Sequence, residues 1–242
     1  MLKCAILPLM NHIELELCAA SLEALLLAKK HAFTRIELCQ NLEQGGLTPS
    51  AGLIETALEL GLNTHVLIRP RAGGFHYSTE EVQLIGRDIQ CCAQKGVQGV
   101  VVGLLQANFE LDKAQLQELM QIAPELDWTF HRAFDESLDW KRSLDVLIAL
   151  GFKRVLTSGF ASNIEIGLPI LEKMCQYANG QIDIMAGGGV NAGNIGKLAQ
   201  IPNLSAVHFS ATQKELLDED SAFSETVLKV NENRLKRIIA SI

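Results

Sequence analysis

The chain has 242 residues, 48% hydrophobic and 20% charged, and its 21 basic against 28 acidic side chains give a net charge of −7. That balance excludes a disordered chain, and the acidic excess argues against nucleic acid or an anionic membrane surface as a partner, because both select a positive patch. No apolar run approaches the roughly 18 residues of a membrane span, Ala5–Met10 is too short for a secretory core, and six cysteines without a CxxC pair suit a reducing compartment, so a soluble, intracellular protein is expected.

Short β-branched or apolar segments alternate with longer helical ones. In chain order the strands are expected at Ile13–Cys18, Arg35–Cys39, Thr64–Arg69, Val97–Leu104, Asp127–Ala133, Arg154–Ser158, Ile182–Ala186 and Ala206–Ser210. Between them, Ser78 with Glu81 and Asp112 with Gln115 read as capping boxes. Gly61, Gly96, Gly151 and Gly180 follow helical patterns, where a left-handed terminal residue is cheap for glycine. Ala222–Ile242 reads as a long closing helix with Val227, Leu228, Leu235, Ile238 and Ile239 as its apolar positions. No linker or low-complexity stretch divides the chain. Eight β/α units, with strand starts roughly 20–33 residues apart, predict an α/β protein: a single domain over residues 1–242 closed as a (β/α)8 barrel.

Successive strand side chains point to opposite faces. The mostly apolar set (Ile13, Leu15, Leu17; Ile36, Leu38; Val66, Ile68; Phe130; Val155; Val207, Phe209) goes outward against the helices. Glu16, Cys18, Glu37, Cys39, Arg69, His131, Ser158, His208 and Ser210 then go inward, toward the strand ends where barrel enzymes keep their chemistry. Unpaired buried carboxylates are costly, and Arg69 with Arg71 supplies the balancing charge. A purely structural ion-pair core is the alternative.

Three further patterns stand out. Ala186-Gly187-Gly188-Gly189-Val190 follows the seventh strand, where backbone N–H groups at a helix start would meet a phosphate. With Ala192 it also satisfies G-x-G-x-x-A, but no acidic residue ends the next strand, so no nucleotide cofactor is expected. His131-Arg132-Ala133-Phe134-Asp135 puts an imidazole, a guanidinium and a carboxylate at one strand end. Cys18 and Cys39 each follow Glu-Leu on adjacent strands about 4.8 Å apart. Their sulfurs would suit a soft ion such as Cu(I), or simply pack, with Glu16 and Glu37 raising their pKa values. Metalloprotease, P-loop and serine-hydrolase motifs are absent from the sequence.

Several motifs in order, Glu37-Leu38-Cys39, Gly45-Gly46-Leu47-Thr48-Pro49-Ser50, Ile68-Arg69-Pro70-Arg71, Tyr77-Ser78, Thr129–Asp135, Leu156-Thr157-Ser158-Gly159 and Met185–Gly189, resemble the signatures of the CutC copper-homeostasis family along the whole chain. The resemblance implies a TIM-type barrel, a cytoplasmic location and a role in copper tolerance or trafficking, with Cu(I) falling on Cys18 and Cys39. A homodimer or higher homo-oligomer is also expected. The chain departs from the family pattern at Gln44, at Ala20 and in a shorter segment after Ser210.

Two functions follow. One is copper binding through Cys18 and Cys39. The other is an enzyme acting on a small anionic or phosphorylated metabolite, with Glu16 or Glu37 as general base, His131 as acid and His208 completing the acid–base set. Arg69 and Arg71 would clamp the anion, and Arg132, Asp135, Ser158, Gly188, Gly189 and Ser210 would complete the substrate contacts.

Overall fold

The computed structural model describes residues 13–217 and 224–242; the Ala5–Met10 run, Cys4 and Ala222 lie outside these. Eight parallel strands close into a barrel in chain order, with β1 (Glu14–Ala19) hydrogen-bonded to both β2 (Arg35–Leu38) and β8 (Leu204–Phe209). Between these lie β3 (Thr64–Leu67), β4 (Gly99–Val102), β5 (Asp127–Phe130), β6 (Arg154–Thr157) and β7 (Asp183–Ala186). Most strands stop before the expected segments do. Cys39, Arg69, His131 and Ser158 therefore stand just past the strand ends, on the loops that form the rim. Among the described residues no helix is long and apolar enough to cross a membrane.

Helices α1 (Leu22–Lys30), α2 (Ala51–Glu59), α3 (Thr79–Lys95), α4 (Lys113–Met120), α5 (Trp140–Leu150), α6 (Ile164–Ala178) and the single turn α7 (Ile195–Leu198) connect the strands. Their ends follow local chemistry. Ser78 and Glu81 form a reciprocal capping box on α3, whereas Asp112 caps α4 only through the Gln115 amide. Gly96 and Gly151 close α3 and α5 at φ 81° and 84°, a left-handed conformation that glycine adopts without strain.

The barrel wall separates two apolar compartments. Leu17, Ile36, Leu38, Val66, Ile68, Phe130, Val155 and Val207 join the helices in the outer core. Cys18, Cys39, Leu67 and Val101 pack together apart from it, as do Leu156, Met185 and Ala206. An interior set apart from the outer core is what strict side-chain alternation produces when a sheet closes on itself.

The C-terminal segment differs from expectation. Residues Glu225–Val230 form a strand, β10, paired antiparallel with β9 (Thr212–Leu217), and only Glu232–Ile239 is helical, as α8. Asn231 marks the change, its side chain accepting from the Arg234 amide as helix cap. Leu235 and Ile238 bury as expected, but Val227 and Leu228 belong to the strand, because pairing with β9 satisfies a backbone ladder that the helical spacing of apolar residues cannot register.

Candidate functional site

A cavity of about 830 Å³ opens at the C-terminal ends of the strands. Cys18, Glu37, Arg69, His131, Arg132, Asp135, Gly188, Gly189, His208 and Ser210 all line it, as do Phe75 and Arg234. Glu16, Cys39, Ser158 and Arg71 do not border it.

Below the cavity floor lies a column of buried charge. Glu16 is 1% exposed and faces His208 across the closing seam, with Oε1 2.7 Å from His208 Nδ1, while the Arg35 Nε–H donates to its other oxygen. Arg35 also reaches Glu14 Oε2 at 2.8 Å. Burial alone would raise the Glu16 pKa, but the hydrogen bond and charge of His208 and the charge of Arg35 outweigh it and bring the carboxyl down to about 2. For His208, burial works against the charged ring, and the Glu37 charge with hydrogen bonds to Cys18 and Glu16 reverses that, raising it well above the usual value. Glu16 is thus committed to a buried ion pair. The expectation that Arg69 and Arg71 balance the lumen is corrected: Arg35, an inward residue two positions before Glu37, does so with His208.

Glu37 is different. One oxygen accepts from the Cys18 thiol at 3.8 Å, and Oε2 is buried with no protein partner among the described residues. Burial raises its pKa, the Glu16 charge adds to the rise, and His208 pulls the other way. The Cys18 and Cys39 sulfurs are 3.7 Å apart, and the Cys18 thiol is pushed up by Cys39, by burial and by Glu37. Cys18, Glu37 and Cys39 converge closely enough to share an ion, and so do Glu16, Glu37 and His208.

Arg69 is 7% exposed, yet among the described residues no carboxylate is bonded to it. Its guanidinium donates to the carbonyls of Gln44 at 2.8 Å, Gly46 at 2.9 Å and Gly73 at 2.7 Å, and its Nε–H is buried without a partner among the described residues. Gly46 permits this: at φ +87° the loop folds inward, and a Cβ there would come within 2.8 Å of the Leu67 side chain. Arg71 turns away. Its Nη2 donates to Glu81 Oε2 at 3.2 Å, and its guanidinium sits 4.8 Å from the Tyr77 ring centre, outside the cavity. The expected two-arginine clamp is therefore a single arginine, because the capping-box glutamate of α3 has taken the other.

His131 accepts from the Ala133 amide through Nδ1 at 3.0 Å, which puts the ring proton on Nε2, an atom with no partner among the described residues. Burial and the Arg69 charge push its pKa down to about 3. At neutral pH it is uncharged, and Nε2–H is the proton that the expected acid has to offer. Phe75 packs against both His131, with ring centres 4.9 Å apart, and Arg69, 5.2 Å from its centre.

Asp135 spends its carboxylate on the protein. It accepts from the Ser158 amide at 3.0 Å, the Ser158 hydroxyl at 2.9 Å, the Phe160 amide at 3.2 Å, the Thr157 hydroxyl and Arg132 Nε at 3.0 Å. Arg132 is thereby aimed along the rim, with Nη2 2.8 Å from Ser158 Oγ. Gly188 and Gly189 adopt φ of 88° and 98°, and a Cβ on Gly188 would press within 3.1 Å of Arg132 and Ser158. The expected helix start after them is absent. Asn194 folds the loop back by accepting from the Asn191 amide at 2.8 Å and donating to the Gly189 carbonyl at 3.0 Å, and α7 begins only at Ile195. The Ser210 hydroxyl, just past β8, lies 3.0 Å from that of Thr212.

Sequence reasoning missed Arg35, Phe75 and Arg234. The side-chain alternation that placed Glu37 inward also marks Arg35, whereas Phe75 and Arg234 reach the site from outside the barrel strands and carry no periodic signal.

The family model described as "CutC family" matches residues 13–213. A CutC family protein of Bacteroides thetaiotaomicron is 43% identical over 206 residues, covering 84% of this chain and 83% of the relative. One from Glaesserella parasuis is 40% identical over 212 residues, covering 86% and 87%. Among solved structures, Streptococcus agalactiae CutC, whose name ties it to copper homeostasis, superposes with a TM-score of 0.77 at 36% identity, covering 81% of this chain and 97% of its own. The conserved barrel and these identities along the chain place the protein in the CutC family.

Proposed function

We propose that the barrel mouth is the active site of an acid–base enzyme whose substrate is a small anionic metabolite. The observation that carries this reading is Arg69: a buried cation on the cavity wall with carbonyl partners and no counter-charge among the described residues. An uncompensated buried charge costs several kcal/mol, and an anion in the cavity offsets that cost. Glu37, with one oxygen unpartnered among the described residues, is the base, and neutral His131 is a hydrogen-bond donor to the substrate. The cavity of about 830 Å³ has room for a metabolite, far more than a single ion needs. Calorimetric titration with acetate, inorganic phosphate and pyruvate tests it. Binding of at least one, weakened tenfold or more by Arg69→Met, is expected. Failure of all three to bind, or binding indifferent to Arg69, overturns the reading.

The 3.7 Å separation of Cys18 and Cys39 favours a second reading, in which Cu(I) is cargo held between the sulfurs. The donor set is soft, as Cu(I) prefers, but the raised Cys18 thiol must give up its proton to bind, so affinity would climb with pH. Anaerobic competition against a Cu(I) chelator, with Cys18→Ser and Cys39→Ser combined, tests it, and unchanged affinity in the double variant removes it.

A further inference from the structure

Three polar atoms of the cavity residues are buried with no hydrogen-bond partner among the described residues: Glu37 Oε2, Arg69 Nε and His131 Nε2. Their side chains are 5%, 7% and 6% exposed, so water compensates them poorly. They come from the ends of β2, β3 and β5 and are one acceptor and two donors. Phe75 packs on the Arg69 guanidinium and the His131 ring alike, and all three line the cavity. His131 is fixed in the tautomer that presents Nε2–H, by the Ala133 amide on its other nitrogen. Gly103 leaves the room for this ring, since a Cβ there would lie 2.1 Å from its Cε1.

We infer that this trio, taken with the anion-binding reading above on which it rests, serves proton abstraction from carbon beside a carbonyl, the Arg69 and His131 donors holding the enolate oxygen while Glu37 takes the proton. The step balances without a cofactor. The C–H bond breaks, its proton passes to Glu37 Oε2, and the electron pair moves through the new C=C bond onto the carbonyl oxygen. That oxygen carries a full charge only after the step, so donors aimed at it act on the transition state more than on the bound substrate. In a hydroxy-carbonyl substrate the proton of the neighbouring hydroxyl passes to the enolate oxygen, that hydroxyl oxygen becomes the new carbonyl, and Glu37 returns its proton to the former carbonyl carbon, which completes an isomerisation. The substrate class is a small 2-oxo or 2-hydroxy acid or an equivalent hydroxy-carbonyl compound, with an oxygen pair for Arg69 and His131.

Oxalate, a planar dianion shaped like the enolate of a 2-oxo acid, is the probe, with acetate as the carboxylate lacking that shape. The full chain is expected to bind oxalate at least tenfold more tightly than acetate. His131→Phe and Arg69→Met should each remove that preference, His131→Gln, which keeps an N–H donor, should restore part of it, and Glu37→Gln should tighten oxalate by deleting a facing negative charge. Because His131→Phe risks the fold, the His131 Nε2–H resonance of the unsubstituted protein is followed as well, and it should shift on adding oxalate. Equal affinity for acetate and oxalate, a preference indifferent to His131, or an unmoved resonance overturns the inference. Anion binding that needs Arg69 but shows no enolate preference leaves the anion-binding reading standing while this one falls.

Discussion

His208 Nδ1 lies 2.7 Å from Glu16 Oε1 across the seam where β8 pairs with β1, so the bond that closes the barrel interior joins residues 192 apart in sequence. Removing one partner of a buried pair strands the other charge, at a cost on the order of 3–5 kcal/mol. Glu16→Gln should therefore lower unfolding free energy by that order in urea titrations at pH 6. A loss below about 1 kcal/mol would contradict the pairing.

The same pair sets a pH window. Glu16, lowered from 4.5 to about 2, stabilises the fold above pH 4.5 and loses that contribution as pH falls toward 2. His208, raised above 6.5, stabilises fully below pH 6.5 and loses its contribution as pH climbs through its folded value. Glu37, raised by burial, acts in the opposite sense in acid. Subtracting the Glu16→Gln stability profile from that of the unsubstituted protein should give a difference that peaks between about pH 4.5 and 6.5 and shrinks on both sides. A flat difference would refute it.

Asp135 holds the loop after β6 by its bonds to Thr157, Ser158 and Phe160, and Phe160 is a non-glycine residue at φ +59° that needs such support. Asp135→Ala leaves several donors unsatisfied at about 1–3 kcal/mol each. The Ser158 and Phe160 amides should lose most of their hydrogen-exchange protection, while Asp135→Asn retains part of it. Unaltered exchange at both amides in the alanine variant would count against this role.

Gly167 on α6 and Gly159 on the same loop meet backbone to backbone. A Cβ on Gly167 would lie 1.7 Å from the Ser158 carbonyl oxygen, and one on Gly159 2.2 Å from that of Gly167. Neither contact can relax by a side-chain rotation, so Gly167→Ala should destabilise by about 3 kcal/mol or more. Gly86→Ala, whose nearest neighbour is the flexible tip of Ile122 at 3.0 Å, should cost no more than about 1 kcal/mol or even stabilise α3. Thermal melts of the two variants test the contrast, and equal effects would overturn it.

The eight strand positions, the inward parity of Glu16, Cys18, Glu37, Arg69, His131 and His208 and the glycine ends of α3 and α5 were readable from the residues, because side-chain alternation and helix termination depend on a few neighbouring positions. The family was legible too, from the ordered motifs. Which charge meets which was not. Arg35 became the partner of Glu16 through the stagger of β2 on β1, His208 through barrel closure, and Arg71 was lost to Glu81 on the next helix. Only the folded chain left Arg69 facing a cavity without a counter-charge among the described residues and paired Glu225–Val230 with Thr212–Leu217. Pairing energies depend on distance and burial, which the closed barrel creates between residues that the sequence keeps far apart.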